Sequence, residues 1–222
     1  QVQRRLRELA YLNRGITVRF TDERAASPHN QTKTFQYEGG IVDYVSFLNT
    51  DKTVLHDGVI LLEGTRDNLM MQAAIQFTDS YTESLFSYVN NIPTAEGGTH
   101  EVGFRTALTR AYNDYARKIG ALKEKDNNLS GEDYREGMTA VLAVKVVNPQ
   151  FEGQTKGRLG NTEVRPMVEA LTLQKLGEYL EDLRNAAVAQ KIIEKSIKSA
   201  KVREAARKAR DVARTKSELE AA

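Results

Sequence analysis

Apolar positions along the chain follow two periods, and the switches between them mark out its elements. Leu6, Leu9, Ala10 and Leu12 recur at helical spacing before Asn13-Arg14-Gly15, so the chain opens on the end of an amphipathic helix. Ile16, Val18 and Phe20 then alternate with polar residues as a half-buried strand, and a short second strand over 32–37 follows a loop around Pro28. Behind Gly40, the residues Ile41, Val42, Tyr44, Val45 and Leu48 share one helical face. Three β-rich runs come next, near 59–63, 69–78 and 85–91.

The loop 92–99 leads into a helix predicted over 101–119, with Val102, Leu108, Tyr112, Tyr115 and Ile119 as its apolar stripe. Asp126-Asn127-Asn128 carries turn chemistry, and Ser130 with Asp133 three residues on has the form of a capping box. The run 138–147 is the most continuous β-branched stretch and reads as a central strand covered on both faces. Antiparallel strand pairs with helices gathered on one face predict an α+β sandwich. From Thr162 the pattern is almost entirely helical. Val164, Val168, Leu171, Leu176, Leu180 and Leu183 make one stripe, and Val188, Ile192, Ser196, Ala200 and Ala206 make a second. Unbroken to Glu220, this stretch would be roughly 85 Å long. Asn185 is a candidate cap, which predicts a bend or break near 183–186.

Charge changes the picture only in that last stretch. The 222 residues carry a net charge of +2, but between Arg184 and Lys216 eleven basic residues face three acidic ones. The tail is therefore near +8 and the remainder near −6, an asymmetry that predicts a polyanion near the C-terminal end. The absence of cysteine excludes disulfides and thiolate metal sites and suits a reducing cytoplasm. No apolar run approaches membrane-spanning length. The start at Gln1-Val2-Gln3, inside a helical pattern and without an initiator Met, predicts a piece of a longer protein.

Candidate chemistry concentrates in the glycine-spaced loop from Phe151 to Asn161, which presents Lys156 just before the long helical pattern. Three glycines let its backbone turn freely, and a compact ammonium suits a terminal phosphate. It is not a Walker A loop, which requires G-x-x-x-x-G-K-S/T, because Lys156 precedes Gly157. The alternative is a flexible connector. His100, beside Thr99 after two glycines, lacks a nucleophile motif and reads as a hydrogen-bonded residue fixing a turn. His29 and His56 have no partner at metal-ligand spacing, and Asp126, Glu132 and Asp133 read as a solvated loop cluster.

Seven segments together carry a resemblance. They are Leu6-Arg7-Glu8-Leu9-Ala10-Tyr11-Leu12-Asn13 with Thr21-Asp22-Glu23-Arg24; Glu38-Gly39-Gly40-Ile41; Tyr88-Val89-Asn90-Asn91-Ile92; Glu96-Gly97-Gly98-Thr99-His100-Glu101-Val102-Gly103-Phe104-Arg105; Arg135-Glu136-Gly137; Gln154-Thr155-Lys156; and Arg203-Glu204-Ala205-Ala206-Arg207-Lys208-Ala209-Arg210. In this order the set resembles the B subunit of bacterial type IIA DNA topoisomerases, the gyrase and topoisomerase IV group, over essentially the whole chain. The part it resembles is the transducer domain that follows the ATP-binding domain.

The resemblance implies a sandwich like domain 2 of ribosomal protein S5, with a left-handed βαβ crossover, followed by a long C-terminal helical extension. It implies three divisions: 1–14, the end of a helix from the ATP-binding domain; 15–161, the transducer with its Gln-Thr-Lys loop; and 162–222, the extension. The family often has a proline at the break, and this chain has none there. By the same resemblance, Gln154 and Lys156 would contact the γ-phosphate of ATP in the preceding domain. Arg105 would face the DNA cavity enclosed by two B subunits, where Lys191, Lys195, Lys198 and Lys201 would add phosphate contacts. ATP with Mg²⁺, double-stranded DNA, an A-type subunit and a second B subunit are the implied cofactors and partners. The implied location is the cytoplasmic nucleoid, with no membrane. The family's Asn-bearing helix, Asp-x-Gly-x-Gly segment and glycine-rich lid do not occur here, so the chain alone is expected neither to bind ATP nor to turn over. Arg105 also has a plainer reading, an ion pair with Glu101 at i−4.

Two other functions compete. An RNA- or ribosome-binding module of S5-like fold predicts exposed aromatics on the sheet, yet Tyr44, Phe47, Phe77, Tyr112 and Tyr115 mostly fall on apolar stripes. A standalone kinase or chaperone domain would need its own nucleotide motif, and none is visible.

Overall fold

A computed structural model describes residues 1–24 and 32–220. The loop around Pro28, and His29 with it, lies outside the described residues. Helix α1 (Val2–Leu12) ends where expected, with the Asn13 side chain donating back to the Leu9 carbonyl at 2.8 Å. Strands β1 (Val18–Phe20) and β2 (Lys33–Phe35) form a two-stranded antiparallel ribbon, and α2 (Ile41–Leu48) buries Ile41, Tyr44 and Val45.

The centre is a mixed five-stranded sheet in the order β3-β4-β7-β5-β6. Its strands are β3 (Ile60–Arg66), β4 (Leu69–Phe77), β5 (Ser84–Val89), β6 (Ile92–Pro93) and β7 (Met138–Val146). The long apolar run 138–146 takes the middle, antiparallel to β4 and parallel to β5. The parallel pair is joined by a crossover through α3 (Thr99–Lys118) and α4 (Gly131–Arg135). Because side chains alternate across a strand, β4 directs Ala73, Ile75 and Phe77 to one face and Ala74 to the other.

On the first face lie α3 and α5 (Val164–Glu181), with Phe104, Leu108, Tyr112, Val168 and Leu171 in one core. On the second, Ala74 and Val141 meet Tyr11, Ile41, Tyr44 and Val45. Helices therefore cover both faces, which corrects the expectation of a single helical layer and accounts for the two-sided burial of β7. The α3 stripe also needs correction. Val102 is 40% and Ile119 44% exposed, whereas Gly103, Phe104, Ala107 and Ala111 are buried. Gly103 faces α5 so closely that a Cβ there would come within 2.4 Å of the Arg165 carbonyl, so the crossing of α3 and α5 is built on small residues.

The Ser130–Asp133 capping box forms as read, each partner hydrogen-bonded to the other's backbone N–H. Asp133 itself is buried and not part of a solvated cluster. The expected break occurs as a short 3-10 turn (Leu183–Asn185) between α5 and α6 (Ala186–Glu220). Its chemistry differs from the reading. Asp182 accepts from the Arg184 N–H at 3.0 Å, while the Asn185 amide reaches back to the Tyr179 carbonyl at 2.9 Å and does not cap α6. Leu183 is 88% exposed and Ala206 is exposed, so neither belongs to a buried stripe.

Of the aromatics weighed for base stacking, Tyr44, Phe77 and Tyr112 are buried and Tyr115 packs against the core. Phe47 is partly exposed beneath the Arg7 guanidinium.

Candidate functional site

The glycine-spaced loop is a hairpin, with β8 (Phe151–Glu152) paired to β9 (Arg158–Leu159). Its base is stitched to the turn before α3. Glu96 N donates to Gly157 O at 2.9 Å, Leu159 N donates to Gly97 O at 3.1 Å, and Arg158 reaches the Glu96 carbonyl at 3.3 Å. Gly98, at φ 143°, pairs with Leu159 so tightly that a Cβ would lie 2.5 Å from Leu159 N. The tip contrasts with this base. Gln154, Thr155 and Lys156 are exposed, Lys156 sits at φ 54°, and no salt bridge or side-chain hydrogen bond among the described residues engages any of the three. A positive φ on a non-glycine residue is uncommon and points to a conformation imposed by the loop.

His100 belongs to the base. It is fully buried, its Nε2 lies 2.9 Å from Thr94 Oγ1, and Thr94 in turn meets Ser87 Oγ at 2.7 Å. Burial pushes its pKa down to about 4, so it stays neutral. It fixes the turn that holds the hairpin, as the sequence suggested. His56 is likewise buried, with Nδ1 2.6 Å from Gly58 O and Nε2 accepting from Phe77 N at 3.1 Å, and burial lowers its pKa.

Arg105 lies on α3 in an ion-pair network. Its guanidinium is 3.0 Å from Glu83 and 3.5 Å from Glu101, and Arg135 takes the other Glu83 oxygen at 3.1 Å. Glu83 is separated from both arginines in sequence, so no local pattern signalled the meeting. The guanidinium remains accessible at the edge of an open cleft of about 740 Å³ lined by Val102, Arg110 and Arg135.

The four lysines of α6 separate into two groups. Lys191, Lys198 and Lys201 are exposed. Lys195 turns inward and so corrects its expected place among phosphate-facing residues. Its ammonium donates to the carbonyls of Asp133 (3.4 Å), Tyr134 (3.1 Å) and Glu136 at the end of α4, and lies 4.7 Å from the Phe77 ring centroid. Burial pulls its pKa down to about 8, against the opposing pull of the Glu136 and Asp133 carboxylates. Two turns on, Arg203 bridges Glu132, Asp133 and Glu136. Lys195 and Arg203 together fasten α6 to α4. Among the described residues no group of three or more His, Asp or Glu could hold a metal ion, and no helix is long and apolar enough to cross a membrane.

Known proteins resemble the chain in sequence and in fold. A family model described as DNA gyrase B matches residues 40–212. The DNA gyrase B protein of Clostridium acetobutylicum is 51% identical over 220 residues, which is 99% of this chain and 34% of that protein. The 43K ATPase domain of Thermus thermophilus gyrase B, solved in complex with an aminocoumarin, has a TM-score of 0.84 at 37% identity, covering 95% of this chain and 55% of that one. A topoisomerase IV ATP-binding domain of Francisella tularensis, in complex with a small-molecule inhibitor, has a TM-score of 0.74 at 26% identity, covering 91% and 53%. The chain thus spans about a third of the length of the Clostridium relative and about half of each solved domain. A match across most of the sequence, together with one across the fold, places the chain in a family: it belongs to the DNA gyrase B family.

Proposed function

We propose that this chain is the transducer region of a type IIA DNA topoisomerase B subunit, in which Gln154 and Lys156 sense the terminal phosphate of ATP. The observation that carries this reading is the contrast within the hairpin: a base held by backbone pairing and a tip whose lysine has no side-chain partner among the described residues. An ammonium left in water gains little from one phosphate, but it gains much more once a closed site excludes water and fixes the geometry. The donors at the tip fit a terminal phosphate, whereas the adenine pocket and the Mg²⁺ ligands would come from the preceding domain. ATP-Mg²⁺, when bound, supplies the phosphoryl group that passes to water.

Lys156 would then neutralise charge that grows as the γ-phosphoryl leaves, and Gln154 would orient the same group. Since the contact exists only with triphosphate bound, it biases a two-state movement of the hairpin and everything rigidly joined to it. On this reading residues 1–14 continue a helix of the ATP-binding domain, 15–161 form the transducer and 162–222 the lever toward the DNA-cleaving core. The partners are duplex DNA, an A-type subunit and a second B subunit closing the N-gate. Arg105 would meet a DNA phosphate in that gate by exchanging its contact with Glu83. Lys195 takes no part in DNA contact, because its charge serves the α4–α6 junction.

The test is Lys156→Ala in the full-length subunit. The expected result is a loss of roughly a hundredfold in kcat, the scale of one well-placed transition-state donor, with ATP affinity little changed. Hydrolysis at the wild-type rate would refute the assignment.

A further inference from the structure

One face of α6 changes character where the helix leaves the domain. Ala189, Ile192, Ser196 and Ser199 recur at alternating three- and four-residue steps, and all four are buried. The same steps continue through Arg203, Arg207, Arg210 and Arg214. Arg203 is the last residue of this stripe that the domain engages, held by the carboxylates of α4. Beyond it, residues 204–217 are all exposed. The stripe that was buried is now a row of arginines, with no acidic residue on it.

At Arg203, Arg207 and Arg210 this row overhangs the loop between α3 and α4. The space between them is an open cleft of about 960 Å³, with Lys201, Arg207 and Arg210 on the helix side and Lys123 and Lys125 on the loop side. The nearby carboxylates are otherwise engaged: Asp126 accepts from Lys123 N at 2.7 Å, and Glu204 pairs with Lys208 at 2.8 Å. No salt bridge joins Lys123, Lys125, Arg207 or Arg214 to a carboxylate among the described residues. Like charges facing each other across a cleft repel, and an extended anion between them removes that repulsion. Lys191 and Lys198, by contrast, lie on the opposite side of the helix, toward solvent.

We propose that Arg207, Arg210 and Arg214, with Lys123 and Lys125 opposite, form a contact site for the sugar-phosphate backbone of duplex DNA. From Arg207 to Arg214 the helix rises about 10 Å. One strand of a duplex advances about 3.4 Å per phosphate, so the row spans about three phosphates. A compact phosphate would answer only one or two of these cations, whereas a continuous strand answers the whole row. Guanidinium groups suit this role because their planar donors match phosphate oxygens in pairs. The proposal rests on the topoisomerase reading for its choice of polyanion and narrows the DNA-facing surface of α6 to its arginine side.

Two variants that remove equal charge separate this site from general attraction: Arg207→Gln/Arg210→Gln and Lys191→Gln/Lys198→Gln. Glutamine keeps nearly the same helix propensity, and circular dichroism checks that α6 stays folded. Binding of a short labelled duplex to the chain is measured across a salt series. The arginine variant should lower the slope of log affinity against log salt by about two, roughly one per lost phosphate contact, and weaken binding more than tenfold at low salt. The lysine variant should lose only a small long-range share. Equal losses in the two variants, or a larger loss in the lysine variant, would overturn the site while leaving DNA binding in place. Displacement of the duplex by polyglutamate at equal charge concentration would overturn the choice of DNA as ligand. A wild-type chain that binds no duplex at low salt would overturn both the site and the DNA part of the proposed function.

Discussion

Lys156 and Lys195 both stand in polar, charge-rich sequence, and the fold treats them in opposite ways. The hairpin closes its backbone bonds at Glu96, Gly97 and Gly98 and leaves Lys156 at an exposed tip. Helix α6 turns Lys195 into the domain, where three carbonyls and an aromatic ring take up its charge. The difference teaches that a cation is available to a ligand only when the protein's own acceptors have not claimed it. Neither composition nor spacing reports this, because the acceptors come from elsewhere in the chain.

The largest expected effect comes from breaking the hairpin's base. Gly98→Ala places a Cβ against the Leu159 backbone at a positive φ, and the fold should lose about 4 kcal/mol, read by urea denaturation. Amide exchange over 157–160 should rise with it. If stability is retained and exchange unchanged, the hairpin is not held as described.

Lys195→Met tests the other side of the comparison. It leaves the carbonyls of Asp133, Tyr134 and Glu136 without their shared donor and should cost about 3 kcal/mol by the same denaturation measurement. A cost below that of Lys191→Met would mean that Lys195 is only another surface lysine.

Acid sharpens the contrast through the hairpin's base. His100 has its pKa held near 4 in the folded protein, while the unfolded chain takes up the proton near 6.5. The unfolded state therefore binds more protons throughout that window. Stability should fall by up to about 3 kcal/mol as pH drops from 6.5 to 4. His56, lowered in the same direction, adds to the loss. The His100→Gln variant should show a visibly flatter pH dependence, and a slope identical to wild type would place the titration elsewhere.

The smallest effect belongs to the tip. Lys156→Ala should change stability by no more than about 0.5 kcal/mol, as for a surface substitution without partners. A loss beyond about 1 kcal/mol would reveal a structural contact and weaken its role as a free donor.

The elements with local causes were legible in the sequence. The Ser130–Asp133 box, the Asn13 helix stop, the central strand over 138–146 and the place of the break near 183–186 each follow from residues within a few positions, although Asp182 and not Asn185 caps that break. What escaped depends on distant partners. The α3 stripe was right at Leu108, Tyr112 and Tyr115 and wrong at Val102 and Ile119, because a close helix crossing selects Gly103, Ala107 and Ala111, which a search for large apolar residues passes over. The second helical layer was missed because Tyr11 and Tyr44 reach the sheet only through the tertiary fold. At the candidate site, the Gln154-Thr155-Lys156 tip and the role of His100 were readable. The capture of Lys195 by α4 and the meeting of Arg105 and Arg135 at Glu83 were not.

The central claim, that Lys156 meets the terminal phosphate, is tested most directly by hydrogen exchange on the full-length protein with a non-hydrolysable triphosphate or with the diphosphate bound. Amides of residues 153–157 should become protected with the triphosphate and remain fast with the diphosphate, and Lys156→Ala should abolish the difference. Equal exchange at the hairpin tip in the two nucleotide states would contradict the account.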